Sequence, residues 1–447
     1  MSVVAAPLFA QSPAERLMAS ALQSSQAWET LEHLTDDIGP RLSGSRNAAI
    51  AVDWTLKRFG SWGIDAHTEK VMVPHWVRGV ERAEIVAPHP QRLVLTALGG
   101  SVATPESGIT AEVVELGSFE ELPSSNVKGK IVFFNVPMDM DLVRAGRSFE
   151  AYGKAVEYRG RGADRASAYG ARAVLIRSVS SDSLRTPHTG ALSYQDKVAK
   201  IPAAALAAED AMLLHRLLAQ QQRIRLHLVL TPRMLPDAES ANVVAEIRGT
   251  EHADEIVLLG AHLDSWDLGT GAIDDGAGVA MVMETMRLIK ASGLQPKRTI
   301  RCVLYMNEEN GLRGGKQYAA DHRGEKHIAA IESDAGTAAP NGFLTTLKGA
   351  DLTSLEQRTR MLERVNGAKF DSAEQTGADT GPLVDAGTTG FGLMPDQRHY
   401  FDYHHSAADT LDKVDPPELV QNTAAIAALT WVLAQDGVPS PEAGRGH

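Results

Sequence analysis

From Pro232 onward, short apolar runs rich in β-branched residues alternate with long helical runs, and no other feature limits the fold as much. The strand-like runs are 243–247, 256–259, 300–305 and 328–331; the helical ones are 277–291, 312–322, 352–365 and 417–434. Alternation of this kind predicts an α/β architecture, a mostly parallel mixed sheet sandwiched by helices. Ligands of such sheets sit beyond the carboxyl ends of the strands. The run 256–259 leads into Gly260-Ala261-His262-Leu263-Asp264, and 300–305 leads into Asn307-Glu308-Glu309. The run 328–331 leads into Glu332-Ser333-Asp334, and Asp274-Asp275 lies on the loop between the first two. A single acidic residue at a strand end is ordinarily a helix cap or faces water. Three successive strands delivering His and carboxylates to one edge point to a site.

The chain before Pro232 has a different character. Residues 12–63 read as helical, with stops at Gly60 and Gly63, and 71–113 as short β segments. Near Ser107 a second α/β pattern begins, with strands at 112–116, 131–134, 173–176 and 224–230 and a helix at 208–221. The expected organisation is therefore one domain built from 12–106 and 234–447, interrupted by an insert over 107–233. Residues 1–11 run from apolar to small side chains like the end of a secretory signal, which favours a periplasmic or secreted location over a cytoplasmic one.

Composition narrows the chemistry. Lys+Arg 44 against Asp+Glu 56 gives a net charge of -12, the wrong sign for a nucleic-acid partner. No apolar run approaches the roughly 18–20 residues of a membrane span. One cysteine, Cys302, forms no internal disulfide and rules out a zinc site of several thiolates. Histidine with several carboxylates is the donor set of a hydrolytic Zn, Mn or Co site, and two such ions can share a carboxylate. Glu308 and Glu309 are neighbours on a turn, so one is free to bind metal while the other serves as general base. The segment Tyr403-His404-His405-Ser406-Ala407-Ala408-Asp409-Thr410 offers further histidines. There is no His-Glu-x-x-His and no Gly-x-Ser-x-Gly, and Gly269-Thr270-Gly271 fails as a dinucleotide loop because Asp274 replaces the third glycine.

Taken together, Gly260–Ser265, Asp274–Gly278, Asn307–Glu309, Ser333–Gly336 and His405–Thr410 resemble the M28 metallopeptidases. Ser265-Trp266-Asp267-Leu268-Gly269 and Pro296-Lys297-Arg298-Thr299 are most similar to the family's plasma glutamate carboxypeptidase branch, and Gly39–Ser45 to the family's opening segment. The resemblance implies a zinc-exopeptidase (phosphorylase/hydrolase-like) fold, with 107–233 as a protease-associated lobe. It implies two divalent metal ions, zinc first: His262 and Asp334 on one, Glu309 and His405 on the other, and Asp274 bridging. Glu308 matches the general base and Asp264 the carboxylate that orients an active-site group. His405 fits the ligand position, four residues before Asp409-Thr410, and His404 is its neighbour. His404 stands where some members carry an oxyanion-stabilising tyrosine, with Tyr403 one residue further back. Asp379 matches a loop near the site, and equally reads as a turn-stabilising carboxylate. Asp379, Tyr403 and His404 are thus the candidates for substrate contact.

The branch resemblance implies short peptides as substrate, dipeptides with free termini, a homodimer, and a cis Asp274–Asp275 bond. An aminopeptidase acting on longer peptides, a glutaminyl-cyclase-like acyltransferase and a non-catalytic binding protein are the alternatives. None of the insert's histidines, His188, His215 and His227, has ligand spacing, and the insert is expected to line the cleft without donating to a metal.

Overall fold

The computed structural model describes residues 11–182, 184–220 and 223–439. Apart from Gln11, the expected signal remnant lies outside the described residues. Two eight-stranded sheets carry the chain. In the first, neighbouring strands follow the order Asp65–Val77, Arg233–Ile247, Arg298–Tyr305, His252–His262, Lys326–Glu332, Thr389–Pro395, Pro340–Thr345 and Phe370–Ser372. The four central strands are mutually parallel, and antiparallel strands flank them on both sides. The sheet is mixed, as the alternation predicts.

Helices cover both faces, so a central strand must be apolar on both sides. In His252–His262 the side chains divide by period two. Val257 and Leu259 join the core under the helices Pro13–Ser24, Ala277–Ala291 and Pro416–Asp436. Ile256 and Leu258 face the opposite layer, with Tyr318 and Leu383 from the helices Arg313–Asp321 and Gly381–Asp385. Ala277–Ala291 is apolar nearly all round because it lies between the sheet and Pro416–Asp436. Pro416–Asp436 starts where Asp415 accepts from Glu418 N at 3.1 Å, with proline in its first turn. No described helix is long and apolar enough to cross a membrane.

The second sheet runs Gln91–Leu93, Glu81–Ala87, Arg225–Leu230, Ile109–Leu116, Ile131–Phe134, Ala173–Arg177, Ala203–Leu206 and Leu95–Ala97. It begins at Glu81, earlier than the boundary expected near 107. The strands at 81–97 belong with 203–230 through long-range pairing, such as Ala83 opposite Leu228, which local composition does not register. Helices Ser148–Ser167 and Ala208–Ala219 pack on this sheet. Arg78 ties the two bodies: its guanidinium grips both oxygens of Asp267 at 2.7 and 2.8 Å and Glu81 at 2.8 Å.

Candidate metal centre

Parallel strands bring their carboxyl ends to one edge. His262 ends its strand opposite Tyr305, and Gly260 of the same strand stands opposite Glu332. Chain directions alone therefore deliver His262, the 306–309 turn and the 332–334 turn side by side. Loop 263–271 then returns Asp274 to the mouth of the Ala277–Ala291 helix, and the Asp274–Asp275 peptide is cis.

His262, Asp274, Glu309, Asp334 and His405 meet here. His262 Nε2 lies 3.2 Å from Asp274 Oδ1 and 3.6 Å from Asp334 Oδ1. His405 Nε2 lies 3.2 Å from Asp274 Oδ2 and 2.9 Å from Glu309 Oε2. The two oxygens of Asp274 thus face two different histidine–carboxylate pairs. Three triads place donor atoms within 4.8 Å of one another: His262–Asp274–Glu309, Asp274–His404–His405 and His262–Asp275–Asp334. His404 is therefore nearer the centre than its register indicates, stacked on His405 with centroids 3.6 Å apart. His262 Nδ1 sits 3.0 Å from the Asp264 carbonyl, a contact that fixes the ring and turns Nε2 inward, as metal-binding imidazoles require.

The electrostatics fit a cationic guest. Asp274 Oδ2 is buried and makes no hydrogen bond. Burial and repulsion from Asp274 push Glu309 up to about 7. Burial, reinforced by Asp334 and Glu309, holds Glu308 well above the ordinary carboxylate range. Burial lifts Asp275 in the same way, with Asp334 and Asp274 adding repulsion. A divalent charge among these groups offsets that repulsion, and the mixed nitrogen and oxygen donors suit zinc.

A surrounding frame holds these side chains. Asp264 is fully buried, and its Oδ1 accepts from Asn307 N at 2.7 Å and Glu308 N at 3.1 Å, so it anchors the turn carrying both glutamates. Asn307 takes a left-handed φ of 75° there. Trp266 N donates to Glu309 Oε1 at 3.1 Å. Asp275 accepts from His262 N and from Gly278 N in the first turn of the following helix. A Cβ on Gly278 would lie 2.0 Å from the Ser333 carbonyl, which explains the glycine. Asp409 accepts from Ala272 N and Ile273 N, both at 2.8 Å. Buried Arg41 donates to the carbonyls of Leu263, Thr270 and Gly271, clamping both ends of the loop before Asp274. Glu332 accepts from Ala378, Asp379 and Thr380 N. Sequence reasoning gave none of Asp275, Asp409, Arg41 or Glu332 a role in this frame. The signal for Asp275 was its place three residues before Gly278; for Arg41 there was only the opening motif.

The centre opens into a cavity of about 700 Å³ lined by Glu308, Asp274, Glu309, Asp334, His404 and His405 together with Phe149, Tyr152 and Arg159 of the second-sheet body. That body also holds the histidine segment. His188 is paired with Ser406, its Nδ1 lies 2.6 Å from the His404 carbonyl, and Thr189 N donates to the His405 carbonyl at 2.8 Å. His188 thus braces the segment, whereas His215 pairs with Glu115 and His227 with Thr110, away from the centre. Two candidates for substrate contact do not line the cavity. Asp379 is buried behind it on the Glu332 loop, and Tyr403 packs on the main core with Lys413 over its ring.

Comparison with known proteins agrees with this architecture. The sequence pattern of peptidase family M28 matches residues 242–430. Carboxypeptidase Q of Rattus norvegicus is 40% identical over 415 residues, covering 92% of this chain and 85% of that protein. The crystal structure of a peptidase M28 precursor from Shewanella amazonensis SB2B superposes with a TM-score of 0.90 at 40% identity, covering 94% of this chain and 96% of that one. An aminopeptidase from Aneurinibacillus sp. strain AM-1 shares the fold at a TM-score of 0.64 and 22% identity, with 93% and 96% covered. A match of this extent, on a chain whose strand ends assemble a buried histidine–carboxylate cluster, means that the protein belongs to peptidase family M28 and is a metallopeptidase.

Proposed function

We propose that the protein is a dinuclear metallo-exopeptidase that hydrolyses the peptide bond of short peptides, dipeptides with free termini foremost. The observation that carries this reading is Asp274, whose two carboxylate oxygens each face a separate histidine–carboxylate pair beside Glu308. In this reading His262 and Asp334 would hold one cation, Glu309 and His405 the other, and Asp274 both. Zinc held there would supply Lewis acidity toward the scissile carbonyl and lower the pKa of the attacking water. Glu308 lines the cavity with no salt bridge among the described residues, accepts the attacking water's proton and returns it to the leaving amine. Asp264 fixes where Glu308 stands. Phe149 and Tyr152 wall the cavity from the other body and exclude bulk water around the bond being cut.

Elemental analysis followed by assay on free and end-blocked dipeptides tests this. Two zinc equivalents per chain, with hydrolysis abolished by blocking either terminus, are expected. Cleavage that persists when only the C-terminus is blocked favours an aminopeptidase on longer peptides. One tightly bound zinc with cyclisation of N-terminal glutamine favours the acyltransferase, and binding without turnover favours a non-catalytic receptor. Relatives named carboxypeptidase at 38–40% identity support the first outcome. A homodimer and export to the periplasm or medium belong to the same proposal, resting on the branch resemblance and on the apolar run at residues 3–11. Light scattering at micromolar concentration and cell fractionation check them.

A further inference from the structure

The charged side chains that line the cavity are acidic with one exception. Asp274, Glu308, Glu309, Glu332 and Asp334 line it, and among the described lining residues Arg159 alone carries a permanent positive charge. Arg159 belongs to the second-sheet body, on the helix Ser148–Ser167. Its polar contacts are Nη1 to His405 Nδ1 at 3.3 Å and the Tyr152 hydroxyl, neither of which brings a negative charge. Nε is buried and has no partner. The guanidinium is nevertheless held in place. It lies over the Tyr152 ring at 5.4 Å, and on another side the backbone of Gly190 comes so close that a Cβ there would lie 2.4 Å from Cζ. A cation fixed by stacking and sterics, with no ion pair and a donor unused among the described residues, is arranged for an anion supplied from outside.

Position decides which anion. His405 reaches Asp274 and Glu309 through Nε2 and Arg159 through Nδ1, so the guanidinium stands one imidazole ring from the carboxylates of the centre. The terminal carboxylate of a dipeptide lies one residue beyond the scissile bond, a step of about 3.8 Å between Cα atoms. A longer peptide places a neutral amide there.

We propose that Arg159 binds the free α-carboxylate of the substrate and makes the site specific for a C-terminal residue, a role that rests on the exopeptidase reading above. The planar guanidinium forks onto a carboxylate with two donors, which a peptide amide cannot match. The second body thereby supplies the specificity and the first body the hydrolysis.

The test measures binding as well as turnover. The probe is the hydroxyethylene isostere of Ala-Ala, as free acid and as C-terminal carboxamide, titrated calorimetrically into the zinc-loaded full chain. Wild type should hold the acid on the order of 100-fold tighter than the amide. Arg159→Gln should weaken the acid alone and reduce that preference to about threefold or less, and Arg159→Lys should keep part of it. Equal affinity of the wild type for the two forms, or no binding of either, overturns the assignment. So does an Arg159→Gln variant that weakens both forms alike, which is the result of a merely structural role. If the preference appears as expected but no dipeptide is hydrolysed, the exopeptidase reading falls and the carboxylate site stands.

Discussion

Asp264→Ala separates the frame of the site from its chemistry. The carboxylate touches nothing in the cavity; its Oδ1 accepts the backbone N–H groups of Asn307 and Glu308 in a fully buried position. Truncation leaves two buried donors unsatisfied, at about 1–3 kcal/mol each. Removing a carboxylate whose burial already raises its pKa returns part of that cost, so the net loss should be about 2–3 kcal/mol. Asp264→Asn keeps the accepting oxygen and should lose less, about 1 kcal/mol. The turn that shifts carries Glu308, and a displacement near 1 Å costs on the order of 100-fold in rate. With Glu308 as the proposed general base, acting on the proton in flight rather than on bound substrate, the loss should fall on kcat and leave KM nearly unchanged. Urea unfolding gives the stability term, and steady-state kinetics on the best dipeptide give the other. An Asp264→Ala variant with wild-type unfolding midpoint and wild-type kcat refutes the reasoning.

Glu308→Gln keeps the side chain's shape but cannot accept a proton, so turnover should fall about 10²–10⁴-fold with metal content unchanged by elemental analysis; a wild-type rate refutes the base assignment. Chelation followed by dialysis should lower the melting temperature, because the cations no longer offset repulsion among buried carboxylates. Ions at about 1,000 times their Kd are worth roughly 4 kcal/mol, and scanning calorimetry that finds no change counts against the donor set. His327 lies far from the centre, and burial, then Arg301, pull its pKa down to about 4. Its Nε2 lies 2.9 Å from the Tyr318 hydroxyl, which itself accepts from Arg301 at 2.8 Å, so the ring must be neutral to accept. The folded pKa lies below the unfolded value near 6.5, so this contribution is full above pH 6.5 and is lost as pH falls toward 4. His327→Gln should flatten the acid limb of stability against pH by at most ~3 kcal/mol, and identical slopes for the two proteins refute this.

The first sheet was legible because its central strands carry their signal locally. Strands buried on both faces are short apolar runs, and the helix 277–291 needs no tertiary information to be recognised. The fourth central strand, Thr389–Pro395, and the flanking strands Pro340–Thr345 and Phe370–Ser372 were not legible. The first two are interrupted by glycine and proline and the last is three residues long, so pairing and not pattern makes them strands. Glu81–Ala87 has a clear β pattern, yet its allegiance to the second sheet depends on partners about 140 residues later. Periodicity states that a segment is a strand but not which sheet receives it.

Within the centre, His262, Glu308, Glu309 and Asp334 were legible by type, as polar groups at ends of apolar runs, whereas Asp274 on its loop and His405 in the 403–410 segment took their expected roles from the family resemblance. The residues that hold them were silent for one of two reasons. Asp275 and Asp409 bind backbone N–H groups, and an aspartate doing so looks in a sequence like any turn-former; Asp264 does the same, and only the family resemblance gave it an orienting role. Arg41, His188 and Arg159 act across more than 200 residues of chain, on Thr270, His404 and His405 respectively. No spacing rule reaches that far. The loop His188–Gly190 fastens the backbone of His404 and His405, and Gly190 backs the guanidinium beside them, so the second body shapes the centre without donating a ligand from its own strands. Ligand type follows from the chemistry of the metal and is written in composition. Placement of His262, the 306–309 turn and the 332–334 turn follows from strand direction in the first sheet, whereas the backbone at 404–406 is positioned across the two bodies, where Ser406 meets His188.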